Sequence, residues 1–405
     1  MENNHLLNLK TPKLSIMKYI KTFALIFFCI YFTSCIQKNN LSAEIVGLGN
    51  DTIYIENYKI SNIEDDPILD TIYSENGVFS YNLPINEPLI SIISPKKSEF
   101  IRLNKTPYRP TQKSLILILK PEDNININGK LEKFNLQYKA TGSAINMSYA
   151  ILRDKYAQSN KAYIETELKI DTLMFNKGGR EEINALFKKR NEYSNIARNI
   201  QLNYIKSNLD KNLSAFYLTR QPLDTLGKYF KKLDKSVKNG MFQNLLNYQF
   251  TRFQKYTKVR EAESRIKLGG NAPGFSLKSI NEEHYSVDFS KNKFTILDFW
   301  GSWCAPCISG FPKMKEHFEK YKNRIEFIGI ACNDTETKWR NAVNEHELKW
   351  KNLFNDNEID KDVSVKYAVK GYPTKIIINS SGIIEGIFNG EGEDFYNRLD
   401  ELMKN

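Results

Sequence analysis

Cysteine is scarce in this sequence, 5 in 405 residues, which excludes a small fold stapled by many disulfides and leaves room for two to three domains with cores of their own. Glycine (20) and proline (13) are not in excess, so collagen-like and low-complexity chains are excluded as well. No second Cys-x-x-Cys and no close pair among His5, His284, His317 and His346 spells out a zinc ligand set, and the histidines read as surface residues. The formal net charge is +11, yet no block of five basic residues occurs and Asp and Glu lie between the Lys and Arg. That pattern reads as a solvated basic surface, with no nucleic-acid partner. Internal repeats are absent. Long apolar runs are absent too: the uninterrupted one, Phe23 to Phe32, is too short to span a bilayer. What is plentiful is aromatic side chain, 24 Phe, 22 Tyr and 4 Trp, enough apolar surface to offset chain entropy.

The short apolar run has the layout of a signal peptide over residues 1–34. Lys18 and Lys21 precede it, Thr33-Ser34 end it, and Cys35 follows. Phe32-Thr33-Ser34-Cys35 resembles the lipobox of bacterial lipoproteins. The resemblance implies cleavage before Cys35, acylation of its thiol, and a chain anchored through membrane lipid in the cell envelope, facing a periplasm-like oxidising compartment. Met17 opens a compact signal, whereas Met1 to Ile16 adds a polar leader with Glu2; translation is expected to start at Met17. Residues 35–43 are expected to be the lipidated linker.

Residues 44–142 read as short strands, among them TIYIENY, TIYSENGVFSYNL with an Asn76-Gly77 turn, PLISIIS and LILILK, punctuated by prolines. The expectation is an all-β sandwich or barrel. It resembles, in pattern only, the all-β domain found ahead of redox domains in envelope lipoproteins. Residues 143–267 change to long charged segments with helical spacing. Leu186, Tyr193, Ala197, Ile200 and Tyr204 share one face and are expected in a core, and Gly178-Gly179 and Gln221-Pro222 mark breaks. After the Gly/Pro-rich stretch from Leu268 to Phe275, residues 268–405 alternate. The buried-type strand FTILDFW, a helix bearing Phe311, Met314, Phe318 and Tyr321, and the strand IEFIGIA come first. Helices over Glu336–Glu347 and around Ile359–Tyr367, a hairpin of TKIIIN with GIIEGIF, and a helix with Phe395, Leu399 and Leu402 follow. Alternation followed by a hairpin predicts an α/β domain, a central mixed sheet flanked by helices.

The chemistry lies in Trp303-Cys304-Ala305-Pro306-Cys307. Two cysteines one turn apart, at the start of a helix that follows a buried strand, suit thiol-disulfide exchange. The helix N-terminus favours thiolate on Cys304, which attacks a substrate disulfide, and Cys307 resolves the mixed disulfide by closing Cys304–Cys307. Pro306 is tolerated because its missing N–H would be unpaired in the first turn.

At this point the sequence is similar to the thioredoxin superfamily. Four features in order carry the resemblance: Phe299 to Cys307; Asp298 six residues before Cys304; Pro312 eight residues after it; and Gly371-Tyr372-Pro373-Thr374 before the hairpin. It implies that Asp298 is a buried acid of raised pKa that shuttles the proton of Cys307. It implies that Pro373 is cis and aims the Tyr372 backbone at a substrate strand, and that Trp303 covers the site. Cys332 reads as a buried, inert thiol. Gly270-Asn271-Ala272-Pro273-Gly274-Phe275 resembles the opening of the envelope-tethered, reductase-like branch, related to the peroxiredoxin fold. Gly310 departs from members devoted to cytochrome c maturation, which commonly carry an acid three positions after the second cysteine.

The expected function is therefore a membrane-anchored thiol-disulfide oxidoreductase that reduces disulfide-bearing envelope proteins, draws electrons from a membrane thiol donor, and uses no cofactor and no metal. Two alternatives stand beside it. A thiol peroxidase would need Pro and Thr where Leu297 and Gly301 stand. A tethered binding lipoprotein would carry a vestigial redox domain, against which the intact Cys304, Cys307, Asp298 and Pro373 speak.

Overall fold

The computed structural model describes residues 39–356 and 358–404; the signal sequence, Met17 and Cys35 lie outside the described residues. The chain divides into two compact units with the boundary between Tyr204 and Ile205, inside the helical stretch.

The first unit opens with β1 (Leu41–Val46), three residues inside the stretch expected to be linker, followed by β2 (Asp51–Lys59), β3 (Ile68–Ser74), β4 (Val78–Tyr81), β5 (Leu89–Pro95), β6 (Phe100–Ile101), β7 (Pro107–Tyr108), β8 (Leu115–Leu119), β9 (Ile125–Leu131) and β10 (Leu136–Thr141). They form two four-stranded sheets, ordered β10-β9-β1-β4 and β3-β2-β5-β8, with β6-β7 as a small ribbon. Burial alternates along β1, β9 and β10, as one wet and one dry face require. The inner faces meet where Asn57 of β2 donates to the Tyr81 hydroxyl of β4 at 2.9 Å. Asn76 and Gly77, with φ of 50° and 87°, make the expected tight turn. It hands the chain from β3 in one sheet to β4 in the other.

Three helices follow, α1 (Ala144–Asp154), α2 (Ala157–Phe175) and α3 (Arg180–Ser207), the last of which crosses the boundary after Tyr204. The predicted break at Gly178-Gly179 falls between α2 and α3. β8 is an edge strand, and α1 covers it through Asn146. That side chain is fully buried, accepts from the Ile118 N–H at 2.9 Å and donates to the Ile118 carbonyl at 2.8 Å, taking the place of a neighbouring strand. The α3 stripe expected in a core is only half buried, and Ile205 alone is fully buried in that helix. A 28-residue helix outruns the 19-residue α2 that it meets through the Arg190–Glu167 ion pair.

The second unit holds α4 (Asn212–Leu218), α5 (Leu223–Phe230), α6 (Lys235–Lys238) and α7 (Gln243–Glu263), then β11 (Ser276–Ser279), β12 (His284–Ser286), β13 (Phe294–Trp300), α8 (Ala305–Tyr321), β14 (Ile325–Ala331), α9 (Glu336–Glu345), β15 (Lys351–Phe354), α10 (Val363–Lys366), β16 (Thr374–Asn379), β17 (Ile384–Asn389) and α11 (Glu393–Lys404). The seven-stranded mixed sheet runs β12-β11-β15-β14-β13-β16-β17. β13, buried along its whole length, pairs parallel with β14 and antiparallel with β16. One face of the sheet packs Trp300, Phe311, Trp339 and Phe395; the other packs Leu297, Phe299, Ile330 and Tyr367. This is the expected α/β domain, preceded by the expected β and helical regions. Three strands were not anticipated: β11, β12 and β15 are too short to show a period. The helix expected around Ile359–Tyr367 narrows to Val363–Lys366 because the Asp362 carboxylate accepts from the Ser364 N–H at 2.8 Å and fixes its start.

Asn146→Ala leaves two buried backbone groups of β8 unpaired. It is expected to lower the unfolding free energy of the first unit by about 2–4 kcal/mol, read from denaturant titration of the full chain followed by a probe in that unit.

Candidate active site

Seven consecutive buried residues drive β13 through the centre of the sheet, and the chain leaves it at Gly301 directly into the first turn of α8. Cys304 is the N-cap of α8, with extended backbone, and its sulfur accepts from the Cys307 N–H at 3.3 Å. Cys304 and Cys307 form a disulfide, both nearly fully buried. An N-cap sulfur faces the positive end of the helix dipole, so the thiolate released on reduction is favoured at Cys304. Pro306 lies in the first turn, where it removes no helical hydrogen bond, and Pro312 lies inside the same helix.

The turn before the helix is held from β14. Asp334, just past that strand, accepts from the Ser302 N–H at 2.7 Å and the Ser302 hydroxyl at 2.9 Å. Trp303 is 54% exposed, donates from its indole N–H to the Cys332 carbonyl at 3.2 Å, and meets the Tyr372 ring edge-on at 5.4 Å. The Tyr372–Pro373 peptide is cis. Pro373 is buried, and its carbonyl accepts from the Gly390 N–H at 2.8 Å. Because Phe299 pairs with Thr374 across β13 and β16, Pro373 comes up beside the end of β13 from which the cysteine turn departs. Cys304, Cys307, Trp303, Tyr372 and Pro373 thus belong to one site. Cys332 is buried beneath it, and burial pushes its thiol pKa up, as an inert thiol requires.

Asp298 shares its face of β13 with Ile296 and Trp300, which pack in the same apolar cluster as both cysteines. Its carboxyl is buried, and burial raises its pKa against the pull of a cation that the sequence did not flag: Lys375, its cross-strand partner on β16, with Nζ 3.3 Å from Oδ1. Lys375 is buried as well, and its Nζ donates to Glu391 at 2.7 Å. Burial works against its charge, but the two carboxylates win and hold its pKa above the ordinary value. Tyr396 donates to Glu391 at 2.6 Å. A lysine in the otherwise apolar TKIIIN was the available signal for this cluster.

A further set ties α7 to the site. Lys255 pairs with the buried Asp362 at 2.8 Å and reaches the Asn333 side-chain oxygen at 3.3 Å, while Asn333 donates to the Tyr372 hydroxyl at 3.2 Å. Burial of Asp362 is outweighed by hydrogen bonds from Asn355, Lys255 and Ser364, and its pKa stays low. Among the described residues no group of His, Cys, Asp and Glu is arranged to hold a metal.

A family model described as thioredoxin-like matches residues 292–384. The thiol-disulfide oxidoreductase ResA of Bacillus thuringiensis subsp. konkukian is 31% identical over 160 residues, covering 38% of this chain and 86% of that protein. The thioredoxin-like protein YneN of Bacillus subtilis is 28% identical over 141 residues, 35% of this chain and 82% of that protein. A solved thiol-disulfide oxidoreductase from Bacteroides fragilis is 26% identical, with a TM-score of 0.30, covering 33% of this chain and 98% of its own. All three cover about the last third of the chain or slightly more.

Asp298→Asn tests the buried acid in two ways. Because the folded pKa is raised, the carboxyl contributes stability that is present below about pH 4 and is lost as pH rises through the folded value. The variant should therefore melt higher than the parent at pH 8 and show a smaller gap at pH 5. Closure of Cys304–Cys307 at neutral pH should slow by about 100-fold, read by stopped-flow loss of the mixed disulfide.

Proposed function

Through its last third the chain belongs to the thioredoxin-like thiol-disulfide oxidoreductases, and from that premise we propose that it is a lipid-anchored reductase of disulfide-bearing proteins in the cell envelope, recharged by a membrane thiol donor. The observation that carries the reading is a buried Cys304–Cys307 disulfide at the N-cap of α8, beside the cis-Pro373 loop and over a buried acid.

The substrate disulfide accepts electrons in two steps. Cys304 thiolate attacks one sulfur, a mixed disulfide forms, and the first substrate thiolate leaves. Cys307, giving its proton to Asp298, attacks the Cys304 sulfur, and the second substrate thiolate departs as the Cys304–Cys307 bond closes. Two electrons pass to the substrate and two thiols of the enzyme are oxidised. The donor reverses the last bond.

The electrostatic surroundings support the reducing direction. A pair becomes a strong oxidant when its reduced form is stabilised. Here the α8 N-terminus favours the Cys304 thiolate, but the pair packs among Trp300, Phe311 and Ile377, and the nearby cation Lys375 is shared by two carboxylates. An apolar, carboxylate-rich base disfavours a second thiolate and so favours the disulfide. Anchoring rests on the lipobox-like Phe32-Thr33-Ser34-Cys35.

Insulin reduction by the full chain, with dithiothreitol as electron source, is the direct test. The parent should turn over and Cys304→Ser should fall to the uncatalysed rate; equal rates would contradict the reading. For anchoring, Cys35→Ala should move the chain from the membrane to the soluble fraction, and an unchanged distribution would remove the lipid anchor from the account.

A further inference from the structure

Gly310 stands in the second turn of α8, three residues after Cys307, where glycine costs roughly 1 kcal/mol relative to alanine. The reason for it lies on another element. A Cβ at Gly310 would fall 2.3 Å from Glu391 Oε2 and 2.6 Å from Oε1. The carboxylate of Glu391, from the turn between β17 and α11, fills the space a side chain of the helix would take. It is fixed there by two donors, Lys375 Nζ at 2.7 Å and Tyr396 Oη at 2.6 Å, and Tyr396 Oη also lies 3.4 Å from the Gly310 carbonyl.

The three charged side chains form a row in which Asp298 and Lys375 are buried, 6% and 4% exposed, and Glu391 is 18% exposed. Glu391 is the end that water reaches. Asp298 Oδ1 has no hydrogen-bond partner, with Lys375 3.3 Å away. A buried carboxylate with a free acceptor can take a proton, but that proton needs a way out before the next turnover.

We propose that Glu391 is a positioning residue of the redox site: with Lys375 it connects Asp298 to solvent and sets the proton affinity of Cys307. The inference rests on the thiol-disulfide reading. In resolution, Cys307 gives its proton to Asp298 as its sulfur bonds to Cys304. Lys375, an ammonium with no acceptor of its own, gives a proton to Glu391, which loses it to water; the amine left behind then takes the proton from Asp298. Charge and atoms balance, and Lys375 ends as it began. The other charged and titratable groups around Glu391 and Tyr396 are Lys313 and His317 of α8 and Glu393 of α11. Lys313 is paired with Glu393 and lies 4.7 Å from the Tyr396 ring centroid; the His317 ring is 4.7 Å from it. Lys313 has its own anion, which leaves Lys375 as the cation held by Glu391.

The test uses the reduced full chain and the small disulfide 5,5′-dithiobis(2-nitrobenzoate) in single turnover between pH 5 and 9. Attack by Cys304 releases one equivalent of thionitrobenzoate, and closure by Cys307 releases the second. In E391Q the first phase should keep its pH profile. The second should shift to lower pH by about one unit, because an anion against Gly310, one helical turn from Cys307, has been removed while the hydrogen-bonding shape is kept. In E391A/G310E, which returns a carboxylate to the vacated space from α8, the second phase should return to the parental profile. A second phase of E391Q that superimposes on the parent, or a double variant that stays on the E391Q profile, overturns the role of Glu391 and leaves the two-phase chemistry standing. A parent that releases only one equivalent overturns the thiol-disulfide reading itself.

Discussion

The antiparallel register of β13 with β16 is the constraint on which the redox site depends. Pairing Asp298 with Lys375 and Phe299 with Thr374 does two things at once. It sets a cation opposite the buried acid on the face that carries α8, and it delivers Pro373 beside the turn that bears Cys304. A slip of one residue would turn Asp298 and Lys375 to opposite faces and withdraw the proline from the cysteines. The register is held because both strands are buried on both faces, Ile296 and Ile377 into one cluster and Leu297, Ile376 and Ile378 into the other. Packing therefore fixes the arrangement, since the same side chains that exclude water from the sheet align the buried acid Asp298 and the cis-Pro373 loop with the cysteine turn.

The helical segment before the redox domain takes part in this arrangement. α7 reaches the domain through Lys255 on Asp362 and Asn333, and through Lys370 on Glu263 at 2.7 Å. Asp362 caps α10, and Asn333 holds the Tyr372 hydroxyl. A helix that the sequence separates from the catalytic motif by some fifty positions thus supports the loop on the far side of the site. The buried end of that ion pair matters more than its exposed relatives, since surface pairs contribute about 0–1 kcal/mol and removing one partner of a buried pair about 3–5 kcal/mol.

How much of this could be read beforehand follows from where the information sits. Trp303 to Cys307 packs the cysteine pair and the helix start into five consecutive residues, and Asp298 and Pro373 stand at recognisable distances from them. Lys375 and Glu391 do not: one is a lone lysine in TKIIIN, the other one of several acids in NGEGEDF, and only the β13–β16 register and the turn after β17 bring them together. β15 escaped for a similar reason, because KNLF becomes a strand by pairing with β14 and β11. In the first unit Asn57 and Asn146 look like ordinary polar residues in sequence. Their burial is created by the meeting of two sheets and by an edge strand that needs a partner.

The central claim is that Cys304 and Cys307 form a redox couple poised to give electrons away. Its equilibrium reduction potential, measured on the full chain by alkylation in graded dithiothreitol and glutathione buffers, tests that most directly. The apolar, carboxylate-lined surroundings predict a value near that of thioredoxin, roughly −270 mV. A value near roughly −120 mV, that of a strong periplasmic oxidant, would contradict the account and make the protein a source of disulfides.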